Sequence, residues 1–180
     1  EYTVFLGGVV GMAVKDSLYN VRVRGKIRDF SSVKTPSALG GLAGMMAYAD
    51  MDYGAFNDTL ELKTATATSG AGLTTISGGR AMGGLFGEVS HMSPSSAPNS
   101  YTIQNAFVDS VRIVGGASTN VYAGGLVGRA SFVGGNRIRI FNSRASVDIG
   151  DSLATAGDFR YYAGGILGAT SDCSTLGVAD

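Results

Sequence analysis

From Asn136 to Gly150 the chain reads NRIRIFNSRASVDIG, and apolar and polar residues take turns along almost all of it. A two-residue period is the signature of a strand with one buried and one solvated face. The same alternation runs through VRVRGKI (Val21 to Ile27) and TLELKTATAT (Thr59 to Thr68). No window carries the i, i+3, i+4, i+7 stripe of an amphipathic helix over three turns, so the pattern predicts an all-β protein. Between these segments lie stretches such as MSPSSAPNS (Met92 to Ser100) and ATATSGAGLTTISGG (Ala65 to Gly79), whose Gly, Ser, Pro, Asn and Thr content predicts turns and loops.

A phrase built on two adjacent glycines punctuates the alternation. It reads LGGVVG at Leu6 to Gly11, LGGLAG at Leu39 to Gly44, MGGLFG at Met82 to Gly87, AGGLVG at Ala123 to Gly128 and AGGILG at Ala163 to Gly168. From first glycine to first glycine the spacings are 33, 43, 41 and 40 residues. After each of the first four copies comes a β-prone segment holding an asparagine, with Asn20, Asn57, Asn105 and Asn142 in places that look equivalent. A repeat of two or three short strands cannot bury an apolar face alone, so neighbouring repeats must stack and share an interior. Length variation then collects in the loops, where it leaves the stacked framework in register.

If the glycine phrases stack, Val9, Leu42, Leu85, Leu126 and Ile166 form an internal aliphatic ladder. Glycine inside a strand weakens it unless a bend or a close backbone approach requires it. Its recurrence at every repeat predicts a sharp corner or a face too crowded for side chains. The asparagines are expected to form a second ladder, amide to amide between repeats.

At these residues the chain resembles the GLUG repeats of bacterial surface and secreted proteins, whose signature is a Gly-Gly-Leu-Val-Gly core followed by an Asn-containing strand. YAGGLVGRA (Tyr122 to Ala130), continued by IFNSRASVDIG (Ile140 to Gly150), is the nearest copy, and the resemblance runs through essentially the whole chain. It implies a β-solenoid, β-helix-like, in an extracellular or cell-surface setting, and adhesin-like relatives without catalytic residues. Repeats near 40 residues are longer than typical copies, which leaves room for a larger coil or an added strand per repeat. The expected architecture is a single solenoid domain over residues 1–180 with about four to five coils of roughly 40 residues.

Composition agrees with a folded domain: 180 residues, 44% of them apolar, are enough for a buried core. Glycine occupies 28 positions, about twice its usual share, against three prolines and no tryptophan. Fourteen basic and fourteen acidic residues cancel, and neither sign gathers into a run. That removes the footprint expected of nucleic-acid or anionic-membrane binding. The apolar opening VFLGGVVGMAV (Val4 to Val14) is too short to cross a bilayer and contains the repeat phrase, so it reads as mature structure and no membrane insertion is expected.

Candidate chemistry is sparse. Cys173 is single, so it has no internal disulfide partner, and His91 sits in a serine-rich loop with no Gly-x-Ser-x-Gly elbow in the chain. Asp50, Asp52, Asn57 and Asp58 cluster around Gly54 as calcium-binding oxygens do, but their spacing is not that of an EF-hand, and an ordinary acidic turn is the expectation. No phosphate-binding glycine motif occurs. Thr64, Thr66 and Thr68 alternate in one repeat only, as on any exposed strand. Asn57-Asp58-Thr59 is a glycosylation sequon, which matters only in a eukaryotic secretory pathway. A glycoside-cleaving pair of carboxylates would want aromatic platforms on one face, whereas the tyrosines and phenylalanines lie largely within the repeat phrases and read as core and edge packing.

The sequence therefore predicts a structural or adhesive module with no catalytic residue, metal or cofactor, with Asn57 as a formal modification site and the binding residues unassigned. Its expected partners are a host glycan or surface protein, the neighbouring repeats of a longer chain, or further copies stacked end to end in a fibre. The last two follow from an expectation that the piece is cut in mid-repeat without polar caps. The alternative is a carbohydrate-binding or polysaccharide-degrading module on the same scaffold.

Overall fold

The structure, a computed structural model, describes residues 4–14, 17–29, 37–47, 51–57, 59–62, 80–90, 100–115, 120–131, 137–151, 160–171 and 175–179. Among them every regular element is a strand. The first repeat supplies β1 (Val4–Gly7), β2 (Val10–Val14), β3 (Leu18–Arg24) and β4 (Ile27–Asp29). The second supplies β5 (Ser37–Gly40), β6 (Ala43–Ala47), β7 (Met51–Asn57) and β8 (Thr59–Leu62). In the third, β9 (Arg80–Gly83) and β10 (Phe86–Ser90) precede one long strand, β11 (Ser100–Gly115). The fourth repeats the division with β12 (Asn120–Gly124), β13 (Val127–Ser131), β14 (Arg137–Phe141) and β15 (Arg144–Asp151). The fifth contributes β16 (Arg160–Gly164), β17 (Leu167–Ser171) and β18 (Thr175–Ala179).

Like strands pair with like, always in parallel. Sheet A runs β1-β5-β9-β12-β16 and sheet B runs β2-β6-β10-β13-β17. Sheet C runs β3-β7-β11-β14-β18, and the second half of β11 carries β8 on one side and β15 on the other, with β4 beyond β8. The register keeps the repeat phrase aligned: Gly7, Gly40 and Gly83 stand opposite one another, as do Gly124 and Gly164. One hydrophobic cluster draws on all three sheets, with Leu39 and Met82 from A, Phe86 and Val127 from B, and Ile103, Val108 and Ile138 from C. In the second repeat every residue from Ala38 to Ala47 is buried, as expected of parallel strands covered on both faces.

The glycine phrase performs both tasks the sequence suggested. A Cβ on the first glycine would strike its own repeat across the corner, as Gly83 would meet the Phe86 carbonyl oxygen at 1.9 Å. A Cβ on the third would strike sheet A, as Gly87 would meet the Leu39 amide nitrogen at 2.5 Å. Sheets A and B therefore pack backbone on backbone, which only glycine permits. The corner between them is hydrogen-bonded from repeat to repeat. The carbonyl of Leu85 accepts from the amides of Leu42 (2.9 Å) and Ala43 (3.1 Å), and that of Leu126 accepts from Leu85 and Phe86 (both 3.0 Å). Val9 and Val10 donate in the same way to Leu42, and Leu126 and Val127 to Ile166. Corner amides that would otherwise be orphaned are thus satisfied along the stack.

The aliphatic ladder is complete only in its middle. Leu42, Leu85 and Leu126 are fully buried and Ile166 packs partly against the core, but Val9 is 49% exposed because no described repeat lies beyond it. The asparagine ladder also needs correction. The register places Asn57 opposite Arg24, whereas Tyr19 and Val21, which flank Asn20, stand opposite Asp52 and Gly54. Tyr53 is therefore the second repeat's counterpart of Asn20, Asn105 and Asn142. Those three asparagines share a left-handed backbone, with φ of 51°, 53° and 43°, a conformation that asparagine tolerates better than most residues.

Candidate functional site on the outward faces

Two surfaces carry chemistry. The first is shared by sheets A and B in the fourth and fifth repeats. Tyr122 and Tyr162 are register partners on β12 and β16, and their rings stack at 5.1 Å with 17° between planes. Arg129 on β13 sets its guanidinium 5.2 Å from the Tyr122 ring centre, which makes a column of cation and two rings. In the neighbouring repeat Glu88 stands opposite Arg129 and is half-buried. Burial pushes its carboxyl above the ordinary glutamate value, and the charge of Arg129 pulls part of that shift back.

The second surface is the outward face of sheet C. Strand alternation sends Ile138 and Ile140 inward and Arg139 outward, and burial alternates in the same way from Val21 to Arg24 and along β15. Where β11 meets β15 the outward residues are ionic but compensated. Arg144 lies 3.3 Å from Asp109, and Arg112 lies 3.8 Å from Asp148. Arg144 also covers the Phe107 ring at 5.3 Å. Beside them Asn142 donates its amide to the Asn105 side-chain oxygen at 2.6 Å, so one step of the expected ladder is made. Ser143 braces the same corner: its hydroxyl accepts from the Ala106 amide and donates to the Phe141 carbonyl. Ser110, at a φ of 54°, marks the bulge that fits β11 against β15.

At the other edge of this sheet, β3 and β4 present Arg22, Arg24, Lys26 and Arg28, all exposed, with Tyr19 68% exposed at the head of the row. Here the strand adds to the charge reading of the sequence. The cations are interleaved with Val21, Val23, Gly25 and Ile27, so they form no run along the chain, yet a strand collects them on one side. Counting charge at every second residue of the predicted strand would have found them.

The aromatic reading gains detail too. Among the aromatic side chains described, Phe86 alone is fully buried, while Tyr19, Phe141 and Tyr162 are exposed. Several sequence candidates fall elsewhere. Asp50, Asp58, Thr64, Thr66, Thr68, His91 and Cys173 lie outside the described residues. The backbones of Asp52 and Asn57 belong to β7, but their side chains lie outside what is described. Among the described residues no three His, Cys, Asp or Glu side chains gather as a metal site would require, and no helix is long and apolar enough to cross a membrane. No family model matches the chain, and no curated protein or solved structure is significantly similar to it.

Proposed function

We propose that the chain is a non-catalytic structural and adhesive module of an extracellular or cell-surface protein, a β-solenoid of about four to five coils of roughly 40 residues. Its coils supply rigid reach and its loops and outward faces supply contacts. The observation that carries this reading is the uninterrupted parallel register of three sheets across the glycine phrases. Backbone packed on backbone between sheets A and B leaves little freedom to bend. The resemblance of the repeat phrase to GLUG repeats supports the setting. Neighbouring repeats of a longer chain, or copies stacked end to end, would continue the same pairing.

A second reading, a carbohydrate-binding or polysaccharide-degrading module, draws on one observation: the Arg129-Tyr122-Tyr162 column beside the desolvated Glu88. Both readings meet in one experiment, in which the intact chain is incubated with a panel of polysaccharides and assayed for binding and for release of reducing ends. Binding without release supports the adhesive module. Release that disappears in Glu88→Gln overturns it. Light scattering on the native particle measures end-to-end association separately.

A further inference from the structure

We propose that the β3–β4 edge of sheet C binds a linear acidic polysaccharide, its carboxylate or sulfate groups set against Arg22, Arg24 and Lys26. The inference rests on the adhesive reading and gives it a ligand class. Alternate residues of a strand are about 7 Å apart, so the three cations form a row of about 14 Å that Arg28 lengthens to about 20 Å. All are exposed, and among the described residues no ion pair engages Arg22, Arg24 or Lys26. Four of the fourteen basic residues thus stand within seven positions of a chain that carries no net charge.

Protection of an open sheet edge is the simpler use of such charges, and any sign would serve it. The two edges of this sheet do not match, however. Arg144 and Asp148 on β15 are neutralised by Asp109 and Arg112, whereas Arg22, Arg24 and Lys26 show one sign and enter no ion pair among the described residues; Arg28, beyond them, faces Glu61 in register. A one-sign row on an extended backbone complements an extended polyanion, and arginine forks fit carboxylate and sulfate groups in two-point contacts. Tyr19, 68% exposed, stands at the head of the row. A single-stranded nucleic acid would call for a ring under each successive base, and the row has Tyr19 alone. An anionic bilayer would call for an apolar face beside the charges, but Val21, Val23 and Ile27 pack against the core.

The test measures binding of the intact chain to heparin, polygalacturonate, uncharged dextran, oligothymidylate and phosphatidylserine vesicles at low and at physiological salt. Heparin and polygalacturonate are expected to bind and dextran not to, with a log–log salt slope of roughly −2 for three released counterion contacts. The variant Arg22→Ser/Arg24→Ser/Lys26→Ser should lose about tenfold or more in affinity, and Arg112→Ser/Arg144→Ser on the compensated edge less than about twofold. Arg22→Lys/Arg24→Lys keeps the charge but loses the two-point contacts, so it should keep the salt slope and bind with an affinity between those of the parent and the triple serine variant, and circular dichroism of each variant checks that the fold is intact. No polyanion binding at low salt would mean that the row only guards the edge, and tighter binding to oligothymidylate or vesicles would assign it to another partner; either overturns the inference. Reducing-end release, followed in the same samples, decides the non-catalytic reading independently.

Discussion

Gly125 and Gly165 occupy the same place in successive repeats, yet their surroundings have little in common. A Cβ on Gly125 would lie 1.8 Å from the Gly165 carbonyl oxygen, while a Cβ on Gly165 would meet nothing within 4 Å. The corner residues differ in the same way: Leu85 is fully buried and Val9 is 49% exposed. Inner repeats and end repeats thus share a sequence motif but not an environment. What gives the motif its energetic value is the repeat next to it, as expected where stability is a sum of nearest-neighbour interfaces.

The sharpest way to break this comparison is to add one methyl group at each glycine. Gly125→Ala should cost about 4 kcal/mol or more, because the obstacle is backbone and the inter-repeat hydrogen bonds must part to admit it. Gly165→Ala should fall within about 0.5 kcal/mol of the parent. Equal urea midpoints for the two variants would show that neighbour contact is not what the glycines serve. The next effect in size removes side chain instead of adding it. Leu85→Ala is expected to destabilise by about 3 kcal/mol through lost burial and the cavity left behind, whereas Val9→Ala, already half in water, should cost less than about 1 kcal/mol. Comparable losses at both positions would mean that the first repeat is covered in solution by a further copy or further chain.

The parts legible in the sequence were those where one residue type answers one local demand. The strand class follows from alternation in segments such as Arg137 to Asp148, and the glycine phrase announces its corner because no other residue fits a gap of 1.9 Å at Gly83. Register was less legible. Asn57 stands four positions past the true counterpart of Asn20, and nothing local marks Tyr53 as that counterpart, since only its pairing neighbours define the frame. The cationic row was hidden for a different reason: a charge run is sought along the chain, whereas a strand displays every second residue. The Tyr122-Tyr162 column arises between residues 40 apart in sequence and needed the pairing of β12 with β16 to appear.

Asn142 and Asn20 extend the comparison to sheet C. Asn142 bonds to Asn105, but Asn20 has Tyr53 in the facing register position. Substitution by glycine keeps the left-handed backbone and removes only the amide. Asn142→Gly should therefore cost about 1 kcal/mol, the net worth of a hydrogen bond, and Asn20→Gly about 0.5 kcal/mol or less. In the Asn105→Gly background the Asn142→Gly loss should shrink toward zero, and a loss that does not shrink would show that the amides do not act as a pair.

The smallest effect is a matter of sign. Met12, Met45, Glu88, Arg129 and Ala169 follow one another in register down sheet B, so a carboxyl takes a place that the inner second repeat gives to a buried methionine. Desolvation raises the Glu88 pKa above its ordinary 4.5, with Arg129 opposing. A folded carboxyl that holds its proton more tightly than the unfolded one favours folding when protonated. That contribution is fully present below pH 4.5 and is lost as pH rises through the raised folded value. Glu88→Gln cannot ionise, so its stability relative to the parent should increase across that window and then level off as pH continues to rise. Thermal melts at intervals from pH 4 to pH 8 measure the difference. If the parent instead gains stability over Glu88→Gln as pH rises, the attraction of Arg129 outweighs burial, and the inner repeat holds its carboxylate as one half of an ion pair.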